Sequence, residues 1–114
     1  MIIPYAAASS TDVVFRILAP KMSEFVGNQV VIVNKPGGAA TIGMNQVAKA
    51  APDGYTLLLM TASGAGLSAA RRDLPYDIDR DFAPIARGMS TTYVVMVHPS
   101  VPVKNIKELI ALAR

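Results

Sequence analysis

The order of elements along the chain predicts an α/β domain with a mainly parallel sheet and helices on both faces. Three observations carry this reading. Residues 2–5, 29–35 and 55–61 are apolar or β-branched runs of the kind found in buried strands. The segments between them, from Thr11 to Phe25 and from 44 to 51, suit helices. The resulting β-α-β-α-β order favours parallel strands joined by helical crossovers.

Each element has its own local signals. Residues 2–5 form the first strand candidate. Thr11 or Asp12 is the expected cap of a helix whose apolar residues are Val14, Ile17, Leu18, Met22 and Phe25. Pro20 removes a backbone donor from the interior of that helix, so a kink or a break is expected there. Gly27-Asn28 ends it. "QVVIVNK" (29–35) reads as a strand, "PGGAATIG" (36–43) as a turn or loop, and "MNQVAKAA" (44–51) as a helix. "PDG" (52–54) turns the chain into "YTLLLMT" (55–61), another strand. Residues 62–81 read as a loop that carries much of the charge, and 83–89 and 93–99 as strands. Asn105 and Glu108 make a capping-box-like start for a last helix with its apolar stripe at Ile106, Leu109, Ile110 and Ala113.

Composition narrows the function classes. At 114 residues, 52% hydrophobic and 17% charged, the chain makes one domain at most and buries a core. A net charge of +3 with scattered basic residues argues against nucleic-acid binding. With no cysteine and one histidine, His98, neither a thiolate metal site nor a histidine-based triad is expected, and no metal or cofactor is assigned. No apolar run reaches the roughly 20 residues of a membrane-spanning helix. Met1 leads straight into a strand, so no signal peptide is expected in the chain as it stands.

Ligands of open α/β sheets gather beyond the carboxyl ends of the strands. The loops expected there are 6–11, 36–42 and 62–68, all rich in Ala, Ser, Thr and Gly. Small side chains admit a ligand to the backbone, and N–H groups at a helix start favour an anion. The plain alternative is three ordinary tight connections. "PGGAATIG" lacks the Gly-Lys-Ser/Thr ending of a Walker loop and the spacing of a dinucleotide fingerprint.

"PYAAASSTDVVFRILAPKMSE", "VVIVNKPGGAATIG", "VAKAAPDGYTLLLMT", "LPYDIDRDFAPIA" and "VHPSVPVKNIKELIALAR" together cover essentially the whole chain. In this order and spacing, the sequence resembles the extracytoplasmic solute receptors of tripartite tricarboxylate transporters, the Bug or TctC-like proteins. The resemblance implies a type II periplasmic-binding-protein-like fold. It also implies a receptor that clamps a small carboxylate (a di- or tricarboxylate or an amino acid), does no chemistry, and hands its ligand to membrane transporter subunits. By this likeness residues 1–92 are an incomplete first lobe, and 93–114 are the crossover strand and first helix of an otherwise absent second lobe.

The resemblance also assigns a site. The family's first loop reads Pro-Phe/Tyr-x-x-Gly-Gly-Ser-Thr-Asp. Here Pro4, Tyr5, Ser10, Thr11 and Asp12 match, while Ala8 and Ser9 replace the two glycines. Tyr5, Ala6, Ala7, Ala8, Ser9, Ser10 and Thr11 are the expected ligand contacts of this loop, and Thr61, Ala62 and Ser63 those of the third. The replaced glycines remove two positions that readily take positive φ and add Cβ atoms near the ligand, with Ser9 able to supply a hydroxyl. Asn34, Pro36, Gly37 and Gly43 match the second loop and support the site, with Ala40 where a glycine is frequent. Asp12 is expected as a helix N-terminal residue, since a carboxylate would repel an anion.

Bland roles are expected elsewhere: Asp77 and Asp81 fixing a surface loop, Arg71-Arg72 solvated, His98 structural. A non-binding remnant serving as an oligomeric or interaction module is the second reading. Self-association is then expected through the crossover strand and the last helix. The third reading, a small α/β enzyme or nucleotide binder, lacks a visible catalytic constellation. Localisation is periplasmic by resemblance, and cytoplasmic for a chain without a signal peptide.

Overall fold

The computed structural model describes residues 1–71 and 73–114, which divide into two compact units, Met1–Pro84 and Ile85–Arg114. In the first unit β1 (Ile2–Ile3) lies at the centre of the sheet. It pairs in parallel with β2 (Val33–Asn34), Ile2 opposite Val33 and Ile3 opposite Asn34. Along its other edge, Ile2 bridges in parallel to Leu58, its amide donating to the Leu57 carbonyl and its carbonyl accepting from the Leu59 amide. The strands are shorter than their apolar runs because pairing, not propensity, defines a strand. Pro4 follows β1 and has no N–H to extend the ladder. The runs 29–35 and 55–61 are therefore ordered next to β1 only where β1 offers partners.

Helix α1 (Ser10–Val26) is capped by Ser9, not by Thr11 or Asp12, and closes at Gly27 in the left-handed region with φ 70°. Thr11, Asp12, Phe15 and Ala19 are its buried residues, about one face. The helix runs through Pro20 without the break that was one of the two expectations. Pro20 is exposed, so water can replace the donor it lacks. Ser23 then ties the last turn down: its hydroxyl donates to the Ala19 carbonyl and accepts from the Val30 amide, each at 2.8 Å.

After β2 the chain makes a left-handed turn, with positive φ at Gly37, Gly38, Ala39 and Ala40. The turn feeds α2 (Thr41–Ala48), which starts inside the segment expected to be a loop and ends before 51. Gly43 lets α2 approach the end of β1, since a Cβ there would sit 2.7 Å from the Pro4 Cβ and 3.0 Å from the Lys35 carbonyl oxygen. The segment 62–81 is not a loop. It holds α3 (Ala62–Ala70) and the single turn α4 (Ile78–Asp81), capped by Thr61 and Asp77. Ala40, Met44 and Tyr76 form a buried cluster flanked by Tyr5, Leu58, Met60 and Phe82. Tyr76 meets Phe82 edge-on at 5.7 Å.

The second unit contains α5 (Ile106–Leu112). Its cap is the expected one, with Asn105 Oδ1 accepting from the Glu108 amide at 3.0 Å. Residues 83–89 and 93–99 form no strand, because no described segment pairs with them. Tyr93, Val95, Val103, Ile106 and Leu109 line a shallow groove of about 450 Å³ in this unit. No helix among the described residues is long and apolar enough to cross a membrane.

Gly43→Ala is expected to lower stability by about 1–3 kcal/mol through overpacking against Pro4. Urea denaturation measures this, and an unchanged midpoint would show that α2 is free to move off β1.

Candidate functional site

The expected site residues fall into two helix starts and one tyrosine that links them. At the first start, Ala6 to Ser9 form a tight turn closed by the Ser9 amide donating to the Ala6 carbonyl at 3.2 Å. Ala8 sits in this turn with φ 63°. Left-handed backbone costs a non-glycine residue about 1–2 kcal/mol, so Ala8 adopts by constraint what a glycine adopts freely. Ser9 caps α1 through a long 3.4 Å bond from the Asp12 amide, and its hydroxyl also lies 3.2 Å from that of Thr11. The Ser9 hydroxyl is therefore engaged locally.

Asp12 is the best-held side chain of this region, 2% exposed. Its carboxylate accepts from the Ala8 amide at 2.8 Å, from Asn34 Nδ2 at 2.8 Å, and from Arg16 Nε at 3.0 Å to both oxygens. Asn34 is fully used. Its amide nitrogen also donates to the Tyr5 carbonyl, and its oxygen accepts from Arg16 Nη2 at 2.8 Å. The bonds from Arg16, then Asn34 and Ala8, outweigh the effect of burial and hold the carboxyl at about 2.

At the second start, Thr61 caps α3 by accepting from the Gly64 amide at 3.2 Å. Its hydroxyl also bonds to that of Ser63 at 2.9 Å and to the phenol of Tyr5. Gly64 makes room for that phenol, as a Cβ there would stand 2.7 Å from the Tyr5 oxygen. Tyr5 thereby joins the end of β1 to the start of α3. The amides of Ser10 and Thr11, and of Ala62 and Ser63, have no partner among the described residues. Pro36 and Gly37 lie on the left-handed turn before α2, and Gly43 against Pro4.

Sequence reasoning missed three features here: the helical nature of 62–70, the left-handed alanines, and the reach of Arg16 across to Asn34. Thr61 ahead of an alanine-rich run was the available signal for α3. A larger cleft of about 590 Å³ lies near the other end of α3, lined by Ser68, Leu74 and Tyr76 with Arg71 and Arg80. Its two arginines are already paired, Arg71 to Asp73 at 2.7 Å and Arg80 to Asp81 at 2.9 Å. Arg72 lies outside the described residues. Asp77 and Asp81 brace the α4 turn, Asp77 accepting from the Asp79 and Arg80 amides and Asp81 from the Asp77 amide. His98 Nδ1 accepts from the Ser100 amide. Among the described residues no group of three or more His, Cys, Asp or Glu is placed to hold a metal ion.

Parallel strands here lead into small-residue turns and helix starts, an α/β arrangement shared by many functions, and comparison with known proteins gives the chain a family. The chain belongs to the tripartite tricarboxylate transporter receptor family: the sequence model described as "Tripartite tricarboxylate transporter family receptor" matches residues 14–114. It is 36% identical to a UPF0065 protein of Bordetella bronchiseptica, a match covering all of this chain and 34% of the relative. It is 35% identical to protein BugT of Bordetella pertussis, over 97% of this chain and 35% of the relative. The chain thus spans about a third of the length of these relatives. A solved structure described as that of a periplasmic transporter superposes with a TM-score of 0.62 at 42% identity, covering 67% of this chain and 26% of the other. The periplasmic binding protein BugD superposes with a TM-score of 0.51 at 52% identity, over 53% of this chain and 20% of its own. The fold is that of a periplasmic binding protein.

The Asp12 carboxyl is held below its ordinary 3.8, so its ionised form stabilises the folded state. That contribution is complete well above pH 3.8 and is lost as the pH falls through about 2. Melting temperatures between pH 2 and 6 should fall more steeply for the native chain than for Asp12→Asn. Parallel curves would show that the carboxyl is not coupled to folding.

Proposed function

We propose that this domain contributes one side of a receptor site for a small carboxylate, formed by Tyr5, Ala6, Ala7, Ala8, Ser9, Ser10 and Thr11 with Thr61, Ala62 and Ser63. The observation that carries the reading is the pairing of unpartnered amides at two helix starts, joined by the hydroxyls of Tyr5, Thr61 and Ser63. Helix-start amides and hydroxyls supply hydrogen-bond donors and positive potential, as an anion requires. Asp12 does not oppose this, because Arg16 neutralises it. Membership of the transporter receptor family supports the same ligand class, a periplasmic setting, and delivery to membrane transporter subunits. The role is binding and not catalysis.

Ser10, Ala62 and Ser63 are exposed, so a ligand here keeps much of its surface in water and binds weakly as long as nothing closes over it. Isotope-edited NMR with succinate is the test. Amides of Ser10, Thr11, Ala62 and Ser63 should shift together at ligand concentrations on the order of millimolar, with no binding at sub-micromolar ligand. Ser63→Ala should weaken the response at least threefold. Shifts confined to Arg71 and Arg80, or none at all, would overturn the assignment.

A second reading, an oligomeric or interaction module, draws on exposed apolar side chains, with Phe25 93%, Met96 85% and Ile85 81% accessible. Sedimentation should then show concentration-dependent self-association. A monomer at all concentrations would remove that reading.

A further inference from the structure

We infer that Asp12, Arg16 and Asn34 form a positioning network that holds the first loop in its left-handed turn, with Arg16 as the positioning residue. Ala8 has φ 63°, a conformation an alanine leaves unless something outside the residue retains it. The visible restraint is the Ala8 amide donating to Asp12 Oδ2 at 2.8 Å. That bond needs the carboxylate to be fixed in place, and two groups fix it. Arg16 Nε meets both of its oxygens at 3.0 Å from one helical turn further on, and Asn34 Nδ2 meets Oδ1 at 2.8 Å from the end of β2. Arg16 also bonds to Asn34, so the three side chains close a ring and constrain one another. The Arg16 side chain is 51% exposed, yet its head group is committed on both sides. An exposed arginine in a lone i,i+4 pair contributes little. Here its effect is geometric, because it keeps a buried acceptor aimed at one backbone N–H.

The turn so held presents the free amides of Ser10 and Thr11. The conformational claim stands without any ligand, whereas its consequence for carboxylate binding rests on the reading proposed above. The two therefore separate in one experiment. Amide hydrogen exchange by NMR reads the turn through the Ser9 amide, which closes it onto the Ala6 carbonyl. Arg16→Gln should speed Ser9 exchange at least tenfold, with amides near Ala19 unchanged as the internal check on folding. Glycine takes positive φ without restraint, so adding Ala8→Gly to Arg16→Gln should bring Ser9 exchange back to within threefold of the native chain. A purely structural arginine would not be rescued this way. Unchanged Ser9 exchange in Arg16→Gln, or an equal rise with and without Ala8→Gly, would overturn the proposal. Should Arg16→Gln unfold α1, Arg16→Lys keeps the charge but not the fork, and is read by the same criteria.

Succinate titration of the same samples supplies the second arm. Arg16→Gln should weaken the succinate response at least fivefold, and the double variant should recover it. A native chain that ignores succinate would sink the binding assignment, while Ser9 exchange would still decide whether the network holds the turn.

Discussion

A buried carboxylate with no spare acceptor capacity governs the loop end of this domain. Asp12 lies in the first turn of α1, where the helix potential already favours a negative charge. Its other donors come from the loop before the helix and from a strand far along the chain, so one side chain registers α1, the first loop and β2 at once. The carbonyl of Tyr5 is held by the same Asn34 amide that reaches Asp12. The position of the tyrosine phenol is thus linked to the acid through a single side chain.

The sheet works to the same end by being short. β1 is two residues long, buried, and paired along both edges. All the parallel segments therefore end within a residue or two of Pro4, and the turns that leave them start from a common level. Gly43 brings α2 down onto that level, and Gly64 leaves room for the Tyr5 hydroxyl above α3. Both glycines serve close approach and not flexibility, which separates them from Gly37, where φ of 120° is itself the requirement.

Features set by neighbours in the chain were readable from the sequence. The stop at Gly27, the Asn105 cap with Glu108, and the alternation leading to a parallel sheet follow from local chemistry, and the structure contains each of them. Strand extents were not readable, because 29–35 and 55–61 depend on how much of β1 is available to pair with. Nor was α3, since glycines and serines among its alanines masked a helix whose cap, Thr61, is held in turn by Tyr5. At the first loop, the missing glycines pointed to a lost conformation, yet Ala8 keeps it. The difference lies in long-range bonds that no local rule sees: Asn34 is distant in sequence from Asp12 and adjacent in space.

Ser68 and Tyr76 both turn their hydroxyls toward the Met44 sulfur, at 3.7 Å and 3.5 Å, and stand 3.0 Å from each other. Two hydroxyl hydrogens must share this buried triangle. One can serve the other hydroxyl, and only the thioether is left for the second. An isosteric leucine at 44 would preserve the volume and orphan one O–H group. The three positions therefore act as one unit: a change at any of them alters the hydrogen bonding of the other two, and the contact between α2 and α3 keeps its chemistry only as a set.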